Sequence, residues 1–248
     1  MKEPGYKPRF YRHWSREQDL VSFNVTVKET DLYIRARRNL KKKALEVVIK
    51  QRELLEGYIS RHPGFLTALS PLTVGGDAPQ IAKTMAAASV RVGVGPMAAV
   101  AGAFAGVVGK VLLEFSDEVM VENGGDIFLK LVKPRTIGIY AGSSPYSGKL
   151  ALKITPAETP LGVCTSSGTV GHSLSFGKAD AAIVLAPEVA LADAAATALG
   201  NLVKTPDDME NAINFIRTVK GINGAAVIIG DKMAAWGQIN LLRSEAGE

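Results

Sequence analysis

The sequence predicts an α+β fold, mainly antiparallel sheet with the helices packed on one face. Three observations lead there. Strand-like segments come in adjacent pairs that bracket pairs of helices, and that order occurs twice. No strand–helix–strand alternation of the kind that builds a parallel sheet runs the length of the chain. Hydrophobic residues make up 47% of the 248 residues but aromatics only 6%, so the core is built from Ala, Val, Ile and Leu, and 25 glycines permit close backbone approaches.

Residues 1–20 form an arm in which Lys2, Lys7, Arg9, Arg12 and Arg16 are interleaved with Tyr6, Phe10, Tyr11, His13 and Trp14. The expected role is an arm that packs its aromatics on the domain; the alternative is a surface for single-stranded nucleic acid. Leu20 to Val27 alternates as a strand does. Asp31 to Arg37 alternates again, with Leu32, Ile34 and Ala36 on one face, so the two make a hairpin through residues 28–30. Asn39 is placed to cap a helix from Leu40 to about Arg61, with Leu45, Val48, Ile49, Leu55 and Ile59 as its apolar stripe. Lys41, Lys42, Lys43, Lys50 and Arg52 cover much of the rest, a solvated face by default and a surface for phosphate or an acidic partner otherwise.

Pro63 ends that helix. Asp77, after Gly75-Gly76, reads as the N-cap of a helix through Gln80 to about Ser89. Gly93-Val94-Gly95-Pro96 then opens a helix from Met97 to about Leu113. A glycine-rich turn feeding a helix N-terminus presents free N–H groups and the positive end of the dipole, which makes Gly93 and Gly95 candidates for holding a phosphate. Val92 to Gly109 is 18 residues long and uncharged, but Pro96 and several glycines interrupt it. A loop and a buried helix explain it better than a membrane span.

Val119 to Val121 reads as a strand, and Ile127 to Val132 as its partner. Between them Asn123, Gly124, Gly125 and Asp126 make either a tight turn only or a place where a ligand approaches the backbone. Strands follow at Ile137 to Ala141 and Leu150 to Ile154. Gly162 to Ser173 is rich in hydroxyls. Cys164 and His172 can be paired as nucleophile and base, but Cys164 sits in strand-like sequence, where a free cysteine is a small buried hydrophobe. His172, in a polar loop, is the better catalytic candidate. A helix from Asp207 or Asp208 to about Val219, a strand from Ala225 to Gly230 and a short segment around Trp236 close the chain.

Ala181 to Ala186 is an apolar run of strand length. Pro187 stops it and takes the first turn of a helix reaching Leu202, with Glu188 at the positive end of its dipole. Among the Ala, Val and Leu of that helix stand Asp193 and Thr197, four residues apart and on one face, their Cβ atoms about 5–6 Å apart. Aspartate is a poor helix former and is seldom buried without a partner. Either Asp193 is solvated or held by an arginine or a backbone cap, or the carboxylate and hydroxyl are hard-oxygen ligands for Mg²⁺.

Charge and cysteine usage narrow the setting. Of the net +5, residues 1–62 carry +7 and the remainder −2. The surplus is modest and no nucleic-acid-binding motif accompanies it, so nucleic acid is not the expected partner. One cysteine excludes an internal disulfide and fits a reducing compartment. The charged, aromatic first twenty residues do not read as a signal peptide, and a cytoplasmic location is expected.

The segment from Ala182 through Pro187 to Asp193 and Thr197 resembles the C-terminal signature of the ApbE-type FAD:protein FMN transferases. Val121 to Ile127 resembles their internal Gly-Gly-Asp motif, and Thr165-Ser166-Ser167-Gly168 their Thr-Ser-Gly stretch. The three stand in the family's order over roughly the C-terminal 130 residues, and the chain looks like a shorter branch of that superfamily. The resemblance implies a duplicated ββααββ unit, T-fold-like, with halves at about residues 21–132 and 133–248 of a single domain 21–248. It implies Mg²⁺ at Asp193 and Thr197, FAD or another flavin nucleotide as the phosphate-containing ligand, and transfer of FMN to a threonine of an acceptor protein. Gly93, Gly95, Asn123, Gly124, Gly125, Asp126, Thr165 and Ser166 would line the cofactor site, and His172 would stand for the family histidine. The family's Asp-Pro-x-Thr-Gly segment after the Thr-Ser-Gly stretch has no match here. A phosphate-ligand protein with Mg²⁺ is therefore the leading expectation, its chemistry, if catalytic, FMN transfer or another reaction at a pyrophosphate bond, with a non-catalytic binding or assembly protein of the same fold as the alternative and a nucleic-acid module built on the basic N-terminal region ranked last.

Overall fold

The computed structural model describes residues 19–170 and 175–243. Residues 1–18, residues 171–174, which include His172, and the last five residues lie outside the described residues.

β1 (Val21–Val27) buries Phe23 and Val25 between exposed neighbours, and it pairs with β2 (Thr30–Ala36) around a turn in which Lys28 sits at a φ of 52°. The chain then crosses one face of the sheet in α1 (Lys41–Arg61), α2 (Gly64–Thr67), α3 (Gln80–Val92), a 3₁₀ turn at Pro96–Ala99 and α4 (Val100–Leu112). It returns as β3 (Val119–Asn123) beside β2, and then β4 (Asp126–Lys130). β5 (Arg135–Gly138) and β6 (Leu150–Ile154) leave the main sheet. β7 (Leu161–Ser166) and β8 (Ala181–Ala186) rejoin it, α5 (Val189–Leu202) and α6 (Met209–Thr218) cross it, and β9 (Gly224–Ile229) and β10 (Lys232–Gly237) complete it. β11 (Leu241–Arg243) adds to β6.

The result is an eight-stranded sheet in the order β1-β2-β3-β4-β7-β8-β9-β10, every neighbour antiparallel. Strand pair, helices, strand pair is an order that occurs twice, in β1–β4 with α1–α4 and in β7–β10 with α5–α6. One core lies between the helices and the sheet and includes Leu32, Ile34, Val121, Phe128 and Val184. The other lies under the three-stranded sheet β11-β6-β5 and includes Leu129, Leu152, Val163, Ile183 and Ile228. β8 is buried at all six positions because both of its faces are covered, which is why it reads as an unbroken apolar run.

The small sheet is fastened by charge. Arg135, in β5, donates Nε to Glu118 Oε1 at 2.7 Å and reaches both oxygens of Asp19 at 2.9 and 3.0 Å. Arg37 and Lys133 close on the same acids.

Several local expectations are corrected. Asp77 does not cap α3, whose N-cap position is Pro79; its carboxylate meets the His62 ring instead, at 3.3 Å. Pro187 lies before α5 rather than in its first turn. Glu188 is the cap residue, and its side chain pairs with Arg91 of α3. The expected helix from Met97 is a 3₁₀ turn followed by α4. Among the described residues no single helix is long and apolar enough to cross a membrane; α3 and the segment Pro96–Leu112 pass that test only together, bent by 105°.

Candidate functional site

α5 is made of small residues because it is enclosed. It lies on β7 and β8 and against α3 and α4. A Cβ on Gly162 of β7 would come within 2.8 Å of the Val189 Cα, and one on Gly102 of α4 within 2.6 Å of the Val189 carbonyl oxygen. Every residue from Val189 to Gly200 is buried except Thr197. Before the helix emerges at Asn201 and Leu202, the one opening in this stretch falls on the face that Thr197 shares with Asp193 one turn earlier.

Asp193 is 8% exposed and takes a backbone cap, one of the partners expected for it, from another helix. The Gly102 N–H donates to its Oδ2 at 2.8 Å, and the neighbouring Ala101 amide also favours its charged form. Those amides belong to the first turn of α4, where N–H groups lack intrahelical acceptors and the dipole is positive. Burial first, and then the charge of Asp126, nonetheless push the Asp193 carboxyl well above the usual carboxylate range.

Asp126 comes from the β3–β4 hairpin, which turns through Gly124 and Gly125 at φ 69° and 108°. Two successive positive φ values suit glycine and give the tight two-residue turn of antiparallel strands. Gly125 N–H donates to Glu122 Oε1 at 3.1 Å. Asn123 donates its Nδ2 to the Ala101 carbonyl at 3.1 Å, so the hairpin grips α4. By strand alternation Asn123, Asp126, Cys164 and Ser166 all face the helices. Cys164 is fully enclosed and donates Sγ to the Val189 carbonyl at 3.6 Å. Burial, then Asp126 and Asp193, raise its thiol well above its ordinary value. It is a packed side chain, not a thiolate nucleophile.

The remaining sequence candidates divide. Ser166 Oγ lies beside Gly200 of α5. Thr165 pairs with Ile183, whose side chain is in the core under the small sheet, so the Thr165 side chain points away from Asp193. Gly93 is the left-handed C-cap of α3, at φ 75°, with its N–H committed to the Ser89 carbonyl; it ends a helix rather than opening one. Gly95 packs on backbone, where a Cβ would run into the Ala68 carbonyl. His172 lies outside the described residues. The basic face of α1 is partly neutralised, with Arg52 held by Glu29, Glu56 and Thr30 and Lys43 within 3.7 Å of Glu46. Gly102 was not singled out by the sequence as a site residue. Its signal there is membership in a run of small residues, Ala98 to Gly106.

Among the described residues no group of three or more His, Cys, Asp or Glu side chains is placed to hold a metal ion. The donor set at Asp193, Thr197 and Asp126 is one of hard oxygens with few carboxylates. That suits Mg²⁺, which keeps waters and ligand phosphates in its shell. Two mutually repelling buried carboxyls also gain from a cation between them.

A family model described as AbpE bacteria matches residues 12–235. A UPF0280 protein of Methanocella arvoryzae is 43% identical over 214 residues, covering 86% of this chain and 87% of that protein. A UPF0280 protein of Methanococcus vannielii is 43% identical over 241 residues, covering 93% and 96%. Among solved structures, the apo flavinyl transferase ApbE of Pseudomonas stutzeri superposes with a TM-score of 0.53 at 12% identity, covering 92% of this chain and 95% of that one. The ApbE protein of Thermotoga maritima gives 0.55 at 12% identity, covering 91% and 97%. At such identities the superpositions speak for the fold.

Proposed function

The chain belongs to the family described as AbpE bacteria, and from that premise we propose that it binds a phosphate-containing ligand, a flavin nucleotide, through Mg²⁺ held by Asp193 and Thr197. The observation that carries the reading is an opening in the enclosed stretch of α5. Thr197 is its only residue between Val189 and Gly200 that is not buried, and it stands one turn from a buried carboxylate. A bound magnesium ion supplies charge neutralisation at a pyrophosphate. The chain's own residues do the rest. The Gly102 N–H holds the carboxylate, Asp126 adds negative charge beside it, and the Gly124-Gly125 turn brings backbone close without side chains.

The test is quenching of FAD fluorescence with Mg²⁺ and with EDTA, on the wild type and on Thr197→Val. The expected result is Mg²⁺-dependent binding that weakens about tenfold or more in the variant. Absence of binding in the wild type under both conditions overturns the reading. A second reading, a ligand-binding or assembly protein without transfer chemistry, is favoured by the capping role of Asp193, which the fold needs whether or not a reaction occurs. Release of AMP from FAD separates the two.

A further inference from the structure

Asn123 and Asp193 take opposite ends of one peptide group. The Ala101 carbonyl accepts the Asn123 Nδ2 at 3.1 Å, and the Gly102 N–H of the same peptide donates to Asp193 Oδ2 at 2.8 Å. A trans peptide is planar, with its C=O and N–H pointing in opposite directions. Fixing the carbonyl end therefore fixes the direction of the N–H. Hydrogen bonding at the carbonyl also polarises the group and strengthens its N–H as a donor.

On the metal reading of Asp193 given above, we infer that Asn123 is a positioning residue for that carboxylate and not a ligand contact. It is 8% exposed and stands at the end of β3, opposite Asp126 across the two-glycine turn. One hairpin thereby sets the first turn of α4 with Asn123 and the electrostatics of Asp193 with Asp126. The rigid turn makes the two settings interdependent. Gly102 completes the arrangement, because a Cβ there would lie 2.7 Å from the Asp193 Cβ and force the carboxylate away from the amide.

The experiment titrates the full-length protein with Mn²⁺ alone, following the free ion by electron paramagnetic resonance, in the wild type and in Asn123→Ala. The variant is expected to bind Mn²⁺ about tenfold or more weakly, the usual loss when a group that orients a metal ligand is removed. The Gly102 amide proton resonance is expected to move upfield as its peptide loses polarisation. Asn123→Ser, too short to reach the Ala101 carbonyl, gives the same two changes and serves if the alanine variant does not fold. Unchanged Mn²⁺ affinity in a folded variant overturns the inference alone. A wild type that does not bind Mn²⁺ overturns the metal reading and the inference with it.

Discussion

Gly102 and Asp193 meet so closely that the Gly102 N–H is 2.8 Å from the Asp193 carboxylate and a methyl group on Gly102 would be 2.7 Å from the Asp193 Cβ. A residue in the middle of one buried helix thus closes the first turn of another. Gly102→Ala is expected to destabilise the fold by about 2 kcal/mol, the scale of overpacking against backbone. Gly106→Ala, four residues on, meets only the Val189 side chain, at 3.4 and 3.5 Å. There the gain of about 1 kcal/mol in helix propensity offsets the crowding, and the change is near neutral. Denaturant melts of the two variants side by side check the contrast.

Much of the framework is legible in the sequence because it rests on local pattern. β8 runs from Ala181 to Ala186, the span its apolar run predicts. The hairpin of β1 and β2 follows from alternation, and that of β3 and β4 from Gly124-Gly125. Asp193 stands out because an acid in an alanine-rich helix has no local reason to be there. Its partner is not legible: Gly102 is 91 residues away, and an amide offers no side chain to notice. The same limit explains Gly93 and Asp77. A glycine between two helices can end the first or open the second, and only the packing of α3 decides. An Asp near a helix start can cap it or turn to His62, and the cap position fell to Pro79. The side Thr165 faces depends on the register of β7, which a stretch of small and hydroxyl residues does not announce.

That register carries its own prediction. Because Thr165 points under the small sheet with Ile183, Thr165→Val is expected to leave flavin-nucleotide affinity within about twofold of the wild type, while Thr197→Val lowers it about tenfold or more. Fluorescence titration of both variants is the check.

The metal-free protein should reveal Asp193 in its pH dependence. Its carboxyl is raised well above the ordinary value of 3.8 by burial and by Asp126. Below 3.8 the group is neutral in both folded and unfolded chains, and its favourable contribution is fully present. As pH rises above 3.8 the unfolded chain ionises first, so stability falls until the folded group ionises too. Asp193→Asn keeps an oxygen for the Gly102 N–H and removes the ionisation. Its stability should fall less over that range in the presence of EDTA, as thermal melts across pH would show.

Glu118 and Arg135 are buried together, with side-chain exposures of 0% and 3% and a contact of 2.7 Å. Removing Arg135 leaves the buried Glu118 carboxylate to the partly exposed Arg37, at 3.0 Å, and Arg135→Met is expected to destabilise by about 3 kcal/mol, the low end of the cost of breaking a buried pair. Adding Glu118→Gln should return part of that loss. A double-mutant cycle in urea measures the coupling.

The central claim is that the Asp193 carboxylate holds a divalent ion for a phosphate-containing ligand. Its most direct test is calorimetric titration of FAD into wild type and Asp193→Asn, each with Mg²⁺ and with EDTA. The account predicts Mg²⁺-dependent binding by the wild type and, in a folded variant that retains the acceptor for Gly102, loss of that Mg²⁺ dependence. Equal Mg²⁺-dependent binding by both proteins would contradict it.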